Sequence, residues 1–155
     1  PDPARERHRR GRLREDREIR EVLVAMGPDG DFVQLRLPAD GAYLSVLRTA
    51  TAGLAARLDF TLDEIEDLRI AVDEACAMLL PDAVPGGDLS CIFALTENAL
   101  VVSVSVPTTD GRLPARDTFA WTVLNALAGE VDAAADEHDR VSITMTKKRG
   151  GTGHL

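Results

Sequence analysis

Apolar and polar positions change period several times along the 155-residue chain, and each change marks a predicted element. Phe32-Val33-Gln34-Leu35-Arg36-Leu37 alternates up to Pro38, the pattern of a strand with one buried face. From Ala42 to Leu58, residues Leu44, Leu47, Ala50, Leu54 and Leu58 recur at helical spacing, and Asp59-Phe60 ends that helix. Thr61-Leu62-Asp63-Glu64 is a capping-box sequence, in which a hydroxyl and a carboxylate each satisfy a backbone amide left over at a helix start. Behind it Leu62, Ile65, Leu68, Val72, Ala75, Cys76 and Leu79 form one apolar stripe that runs until Pro81. Asp63, Glu64, Glu66 and Asp67 crowd the first turns, where negative charge suits the helix dipole.

The second half of the chain returns to strand-like runs. Leu89–Thr96 and Leu100–Val106 are joined by Glu97-Asn98-Ala99, a spacing that predicts an antiparallel hairpin. Pro107–Asp117 reads as a loop, Phe119–Val131 as a third helix, and alternating Val141, Ile143 and Met145 as a last strand. The predicted order is β-α-α-β-β-α-β, an α+β fold with a sheet whose helices lie on one face. The breaker cluster Gly27-Pro28-Asp29-Gly30 separates an Arg-rich tail or helix, residues 1–30, from a domain at 31–148. Residues 149–155 are Gly-rich and read as a loose end.

Composition narrows the classes. Hydrophobic residues make up 45% and charged residues 28%, enough apolar content for a globular core. Aromatics are only 4%, so that core must be built from Leu, Val, Ile and Ala. No apolar run reaches the ~18 residues of a membrane span, and no signal-peptide pattern opens the chain. Cys76 and Cys91 are no disulfide framework and, with three scattered histidines, no zinc ligand set. The expected compartment is the reducing cytoplasm, with neither a metal nor a membrane involved.

Charge is distributed unevenly within the net -8. Residues 1–20 carry eight Arg against five acids, whereas residues 31–146 carry seven Arg against nineteen acids. So acidic a body repels a phosphate backbone, which argues against direct nucleic-acid binding by the folded part. The Arg-rich start could be a solvated tail or could touch an acidic partner.

Most familiar catalytic patterns are missing. There is no P-loop, G-x-G-x-x-G, G-x-S-x-G or H-E-x-x-H. His8 and His154 fall in the two ends and His138 in a polar loop, which leaves no histidine-centred triad. Trp121 on the third helix reads as a core or interface residue. What remains is Asp73-Glu74 in the middle of an otherwise apolar helix. Such a pair is either a solvent-facing feature or a carboxylate at the buried edge that could act as a base, and spacing does not decide between them.

Three stretches resemble one family, the RsbW and SpoIIAB anti-sigma factor/serine kinases of the GHKL ATPase superfamily. Leu58-Asp59-Phe60-Thr61-Leu62-Asp63-Glu64 is similar to the family's L-D-P-T-L-D-E helix junction. Ile70–Glu74 is similar to the I-A-V-S-E start of its N-box helix, and Thr118–Val131 aligns without a gap to G-L-G-L-F-L-I-R-S-L-M-D-E-V. The resemblance covers about residues 32–148. It implies a two-layer α/β sandwich of the GHKL (Bergerat) type, with a mixed, mostly antiparallel sheet and helices on one face.

The departures fall on the nucleotide site that the resemblance implies. In the family's E-x-x-x-N box the Glu activates the attacking hydroxyl and the Asn holds Mg²⁺. Here Glu74 matches the Glu, but Met78 stands at the Asn, and a thioether is a poor ligand for a hard cation. The adenine-reading D-x-G-x-G box survives only as a displaced Asp110-Gly111, and the phosphate-loop glycines align with Thr118 and Ala120. Side chains there crowd a phosphate and restrict the turn. Arg48 aligns with the family's partner-contacting arginine on the first helix, and the resemblance makes Phe32–Leu37 together with that helix the candidate self-association surface.

The resemblance therefore implies a homodimeric anti-sigma factor that holds a SigB-like sigma factor and is released by a STAS-domain anti-anti-sigma protein. It would need no cofactor, kinase activity having been lost. The alternative it implies is an active serine kinase that uses Mg-ATP to phosphorylate that antagonist, with Glu74 catalytic. A third reading, a sensor of some other small molecule, has no specific feature in its favour.

Overall fold

The computed structural model describes residues 30–150 and Pro3; the remainder of the Arg-rich segment and of the C-terminal end lies outside the described residues. Strand β1, Asp31–Pro38, is followed by a short 3-10 turn at Gly41–Tyr43, helix α1 at Leu44–Arg57 and helix α2 at Leu62–Leu79. Strands β2, Asp88–Leu95, and β3, Ala99–Pro107, form the expected hairpin. Helix α3 spans Phe119–Ala128, and strands β4, Glu130–Ala135, and β5, Arg140–Lys148, complete the domain.

The five strands are ordered β1-β2-β3-β5-β4, and every neighbouring pair is antiparallel. Register is set by the side-chain period of two. Cys91 faces Leu35 and Val104, and Phe93 faces Val33 and Val102, so these positions share one face. The helices pack on that face. Leu47 and Ala55 of α1, Leu68, Val72 and Cys76 of α2, and Trp121 and Leu124 of α3 join Phe93, Val102, Ile143 and Met145 in one core. The core is aliphatic, as the low aromatic content requires, with Phe93 its largest fully buried side chain.

The capping box forms as read. Glu64 N donates to Thr61 Oγ1 at 3.1 Å, and Thr61 N donates to Glu64 Oε1 at 2.8 Å. Glu64 Oε2 also accepts from Gly150 N at 2.8 Å, and Arg149 donates to Leu58 O at 3.1 Å, so the chain just after β5 is tied to the α1–α2 junction. Burial acts to raise the Glu64 pKa. The amide donors of Thr61 and Gly150, the Thr61 hydroxyl and the Lys147 charge outweigh it, and the net shift is downward.

A lowered carboxyl adds stability above its unfolded pKa and loses it as pH falls through the folded value. Thr61→Ala should therefore cost about 1 kcal/mol at neutral pH, the usual worth of such a cap. Glu64→Gln should flatten the fall in stability below about pH 4.3, the unperturbed glutamate value. Urea unfolding followed at several pH values checks both.

Two features differ from the sequence reading. The third helix stops at Ala128 rather than Val131, and Glu130–Ala135 is a strand. Gly129 takes φ 91° while its N–H bonds back to Asn125 O, so the chain turns out of the helix there. An L-residue rarely adopts that φ. Ala-rich Glu130–Ala135 has a helix-prone composition, and its pairing with β5 overrides that preference. Leu62, counted in the α2 stripe, is 85% exposed, because the first turn projects beyond the core.

Candidate functional site

Helix α2 carries Asp73, Glu74 and Met78 and packs against both other helices. Its buried face, Leu68, Ala71, Val72, Ala75, Cys76 and Leu79, fixes the rotation of the helix. That rotation leaves Asp73 and Glu74 half-buried at the rim, neither fully solvated nor sealed in. Asp73 is engaged, since Arg48 of α1 donates to its Oδ2 at 3.3 Å with both side chains still over one-third exposed. Among the described residues Glu74 has no hydrogen-bond or ion-pair partner. Met78 lies one turn further on and packs against the core through its side chain.

Cys76, two residues from Glu74, is not a nucleophile in waiting. Burial, with a smaller push from the Asp73 charge, raises its thiol pKa to about 12, so it stays protonated at neutral pH.

The loop between β3 and α3 is pinned at both ends. At its start Thr108 Oγ1 donates to Asp139 O at 2.6 Å and accepts from Gly111 N at 2.9 Å. Gly111 has φ 66°, and a Cβ there would meet Asp139 Oδ1 at 2.7 Å, so the turn between β4 and β5 dictates glycine. Asp110 closes a local turn by accepting from Arg112 N at 3.1 Å. Near the loop's end Arg116 lies 5.0 Å over the Trp121 ring and donates to Asp132 Oδ1 at 2.7 Å. The hydrogen bond from Arg116 holds the Asp132 carboxyl below its usual range.

Thr118 is the N-cap of α3, and its Oγ1 accepts from Trp121 N at 3.2 Å. The helix start where the resemblance places a phosphate thus has one of its leftover amides satisfied from within the chain. Ala120 sits half-buried in that first turn, and Phe119 beside it is 85% exposed. The donors here do not suit Mg²⁺, which takes oxygen ligands in near-octahedral order. Met78 offers a thioether, and the Asp73 carboxylate is held by Arg48. Among the described residues no group of three or more His, Cys, Asp or Glu could hold a metal ion.

The residues singled out in the sequence thus fall into separate groups. Arg48 meets Asp73 beside Glu74, Thr118 and Ala120 form the start of α3, and Asp110-Gly111 is anchored to the β4–β5 turn. The role of Asp73 as the Arg48 partner, and of Asp139 and Arg116 in fixing the loop, went unread. Their partners lie 16 to 31 residues away in sequence, and no local pattern records such pairings.

No family model matches the chain. Serine-protein kinase RsbW of Bacillus subtilis (strain 168) is 36% identical over 83 residues, 52% of this chain and 52% of that protein. The protein of the same name from Bacillus thuringiensis (strain Al Hakam) is 35% identical over 75 residues, 47% of each. The chain spans about half the length of the curated relatives it matches. Among solved structures it is similar to the RsbU and RsbW domains of Rv1364c from Mycobacterium tuberculosis. That match has a TM-score of 0.61 and 15% identity, covering 77% of this chain and 32% of the other.

An antiparallel sheet with three helices on one face makes a two-layer α/β sandwich, a fold shared with that RsbW-containing structure. By sequence about half of the chain is similar to serine-protein kinases named RsbW. Among the described residues no helix is long and apolar enough to cross a membrane.

Proposed function

We propose that this protein is a cytoplasmic anti-sigma factor that works by binding and has lost phosphoryl transfer. It sequesters a SigB-like sigma factor and is released when a STAS-domain anti-anti-sigma protein competes for the same surface. The observation that carries the loss of transfer is the start of α3, where the Thr118 hydroxyl caps an amide that a phosphate would otherwise take. Phosphoryl transfer rests on positioned Mg²⁺ and phosphate-directed dipoles. With Met78 at the metal position and side chains at the loop glycines, the rate should fall by about 10³-fold or more.

Binding draws support from helix α1 and strand β1. Arg48 presents a half-exposed guanidinium on α1, flanked by the exposed side chains of Tyr43 and Val46. A guanidinium is suited to directional pairing with a partner carboxylate. Strand β1 is a sheet edge with Phe32 and Val33 partly exposed, which suits self-association into a homodimer.

Calorimetric titration with ATP, with and without Mg²⁺, and then with the sigma factor tests the reading. No nucleotide signal together with a sigma complex that the STAS protein displaces is the expected result. Mg-dependent ATP binding followed by phosphate transfer to the STAS protein would establish the kinase instead. A chain that binds no sigma factor would not be an anti-sigma factor.

A further inference from the structure

The ion pair that joins α1 to α2 is only partly filled. Arg48 uses one guanidinium nitrogen, Nη1, to reach Asp73 Oδ2 at 3.3 Å. A guanidinium carries five N–H donors, and a carboxylate accepts through two oxygens. Among the described residues neither side chain has another partner, so the Nε–Nη2 edge of Arg48 and Oδ1 of Asp73 remain unfilled. Both side chains are more than one-third exposed. Donors and acceptor therefore stand side by side at the α1–α2 seam, open to solvent.

The neighbouring residues do not compete for the pair. On α2, Arg69 lies one turn before Asp73, but Glu66 holds it at 3.0 Å. On α1, the positions one turn either side of Arg48 are Ser45 and Ala52, both small and uncharged. Arg48 and Arg57 are the only charges along α1, and Arg57 stands at its end. A half-exposed ion pair contributes little to folding. The pair is better placed to recognise than to stabilise.

The field around the pair selects the sign of the partner. Residues 31–146 carry seven Arg against nineteen acids, a surface that draws basic groups and repels acidic ones. Arg48 alone would ask for a carboxylate against that field. Asp73 beside it gives an approaching cation a seat, and Arg48 then admits one carboxylate next to that cation.

We propose that Arg48 and Asp73 act as one two-signed recognition unit for a basic protein segment that carries a carboxylate next to a lysine or arginine. The partner carboxylate takes the Nε–Nη2 edge of Arg48, where two parallel N–H···O bonds fit. The partner cation takes Oδ1 of Asp73. This deepens the proposed function and rests on it, for the segment belongs to the sigma factor and the unit states which chemistry there is read.

Calorimetric titration of the full chain with a purified SigB-like sigma factor tests the unit, with thermal unfolding of each variant alongside. Asp73→Asn keeps the shape and removes the charge, and it should weaken the complex about fivefold, the upper worth of a half-exposed ion pair. Its melting temperature should move by no more than about 4 °C. Exchanging the two charges, Arg48→Asp with Asp73→Arg, restores an ion pair inside the chain but reverses what the partner meets. The exchanged chain should fold as before and lose about a hundredfold or more in affinity, since each partner charge then faces its own sign. Association should also slow as salt rises, because steering is screened.

Binding that Arg48→Gln weakens and Asp73→Asn leaves unchanged or tighter would overturn the unit alone and leave the proposed function standing. Affinity restored by the charge exchange would make the pair structural and overturn it as well. Association that speeds up with salt would mean an acidic partner surface, the opposite of the one inferred. Should the exchanged chain not fold, Asp73→Asn and the salt dependence decide. No complex with the unsubstituted chain would remove both the unit and the proposed function.

Discussion

Arg48→Glu is expected to weaken the proposed sigma-factor complex by about thirtyfold or more, the ~2 kcal/mol of an interface hot spot, while the domain stays folded. The argument starts from the side chain's two faces. One guanidinium nitrogen holds Asp73 at 3.3 Å, which fixes the direction of the arginine, and 41% of the side chain remains exposed for a partner. The ion pair is half in solvent, so its loss costs the fold less than about 1 kcal/mol. Reversing the charge also sets a carboxylate against Asp73, which Arg48→Gln does not. The glutamine variant therefore separates the lost partner contact from the new repulsion. Calorimetry against the sigma factor, beside thermal unfolding of each variant, is the measurement. An unchanged Kd in both variants would remove Arg48 from the partner surface.

Phe93→Ala is expected to cost about 3–5 kcal/mol, the range for truncating a buried aromatic. Phe93 stands in the middle of β2, between Val33 of β1 and Val102 of β3, in the core shared with α2. It is fully buried and is the largest fully buried side chain of that core. Single domains are stable by only about 5–15 kcal/mol, so the loss consumes a large share of the total. Denaturant midpoints with an unchanged m-value would show it directly. A loss below about 1 kcal/mol would mean that the sheet and helices close over the cavity, contrary to the usual cost of such a void.

Local signals explain how much of the fold was readable. The capping box at Thr61 and Glu64, the α2 stripe and the β2–β3 hairpin depend on residues within a turn or two of one another, and each stands where the pattern put it. Glu130 and Val131 were read into the third helix and the strand Glu130–Ala135 went unread, because its alanines carry no strand signal and its conformation comes from hydrogen bonds to β5. Leu62 was misassigned for a similar reason, since periodicity records a face but not where the helix emerges from the core.

The candidate site divides along the same line. Glu74, Met78, Thr118 and Ala120 were singled out because the family resemblance matches short contiguous stretches. That Thr118 caps α3 was within reach of the sequence, as a threonine three residues before a helical amide is a local pattern. The Arg48–Asp73 pair and the Thr108–Asp139 and Arg116–Asp132 ties join elements distant in the chain.

By itself the sequence determined the element types over most of the domain and the acidic body with its Arg-rich start. These are properties of composition and short-range spacing. The tertiary structure decided the strand order, the fifth strand and the partner of Arg48. Each of these depends on which distant segments meet, and that choice is made by the packing of the whole core.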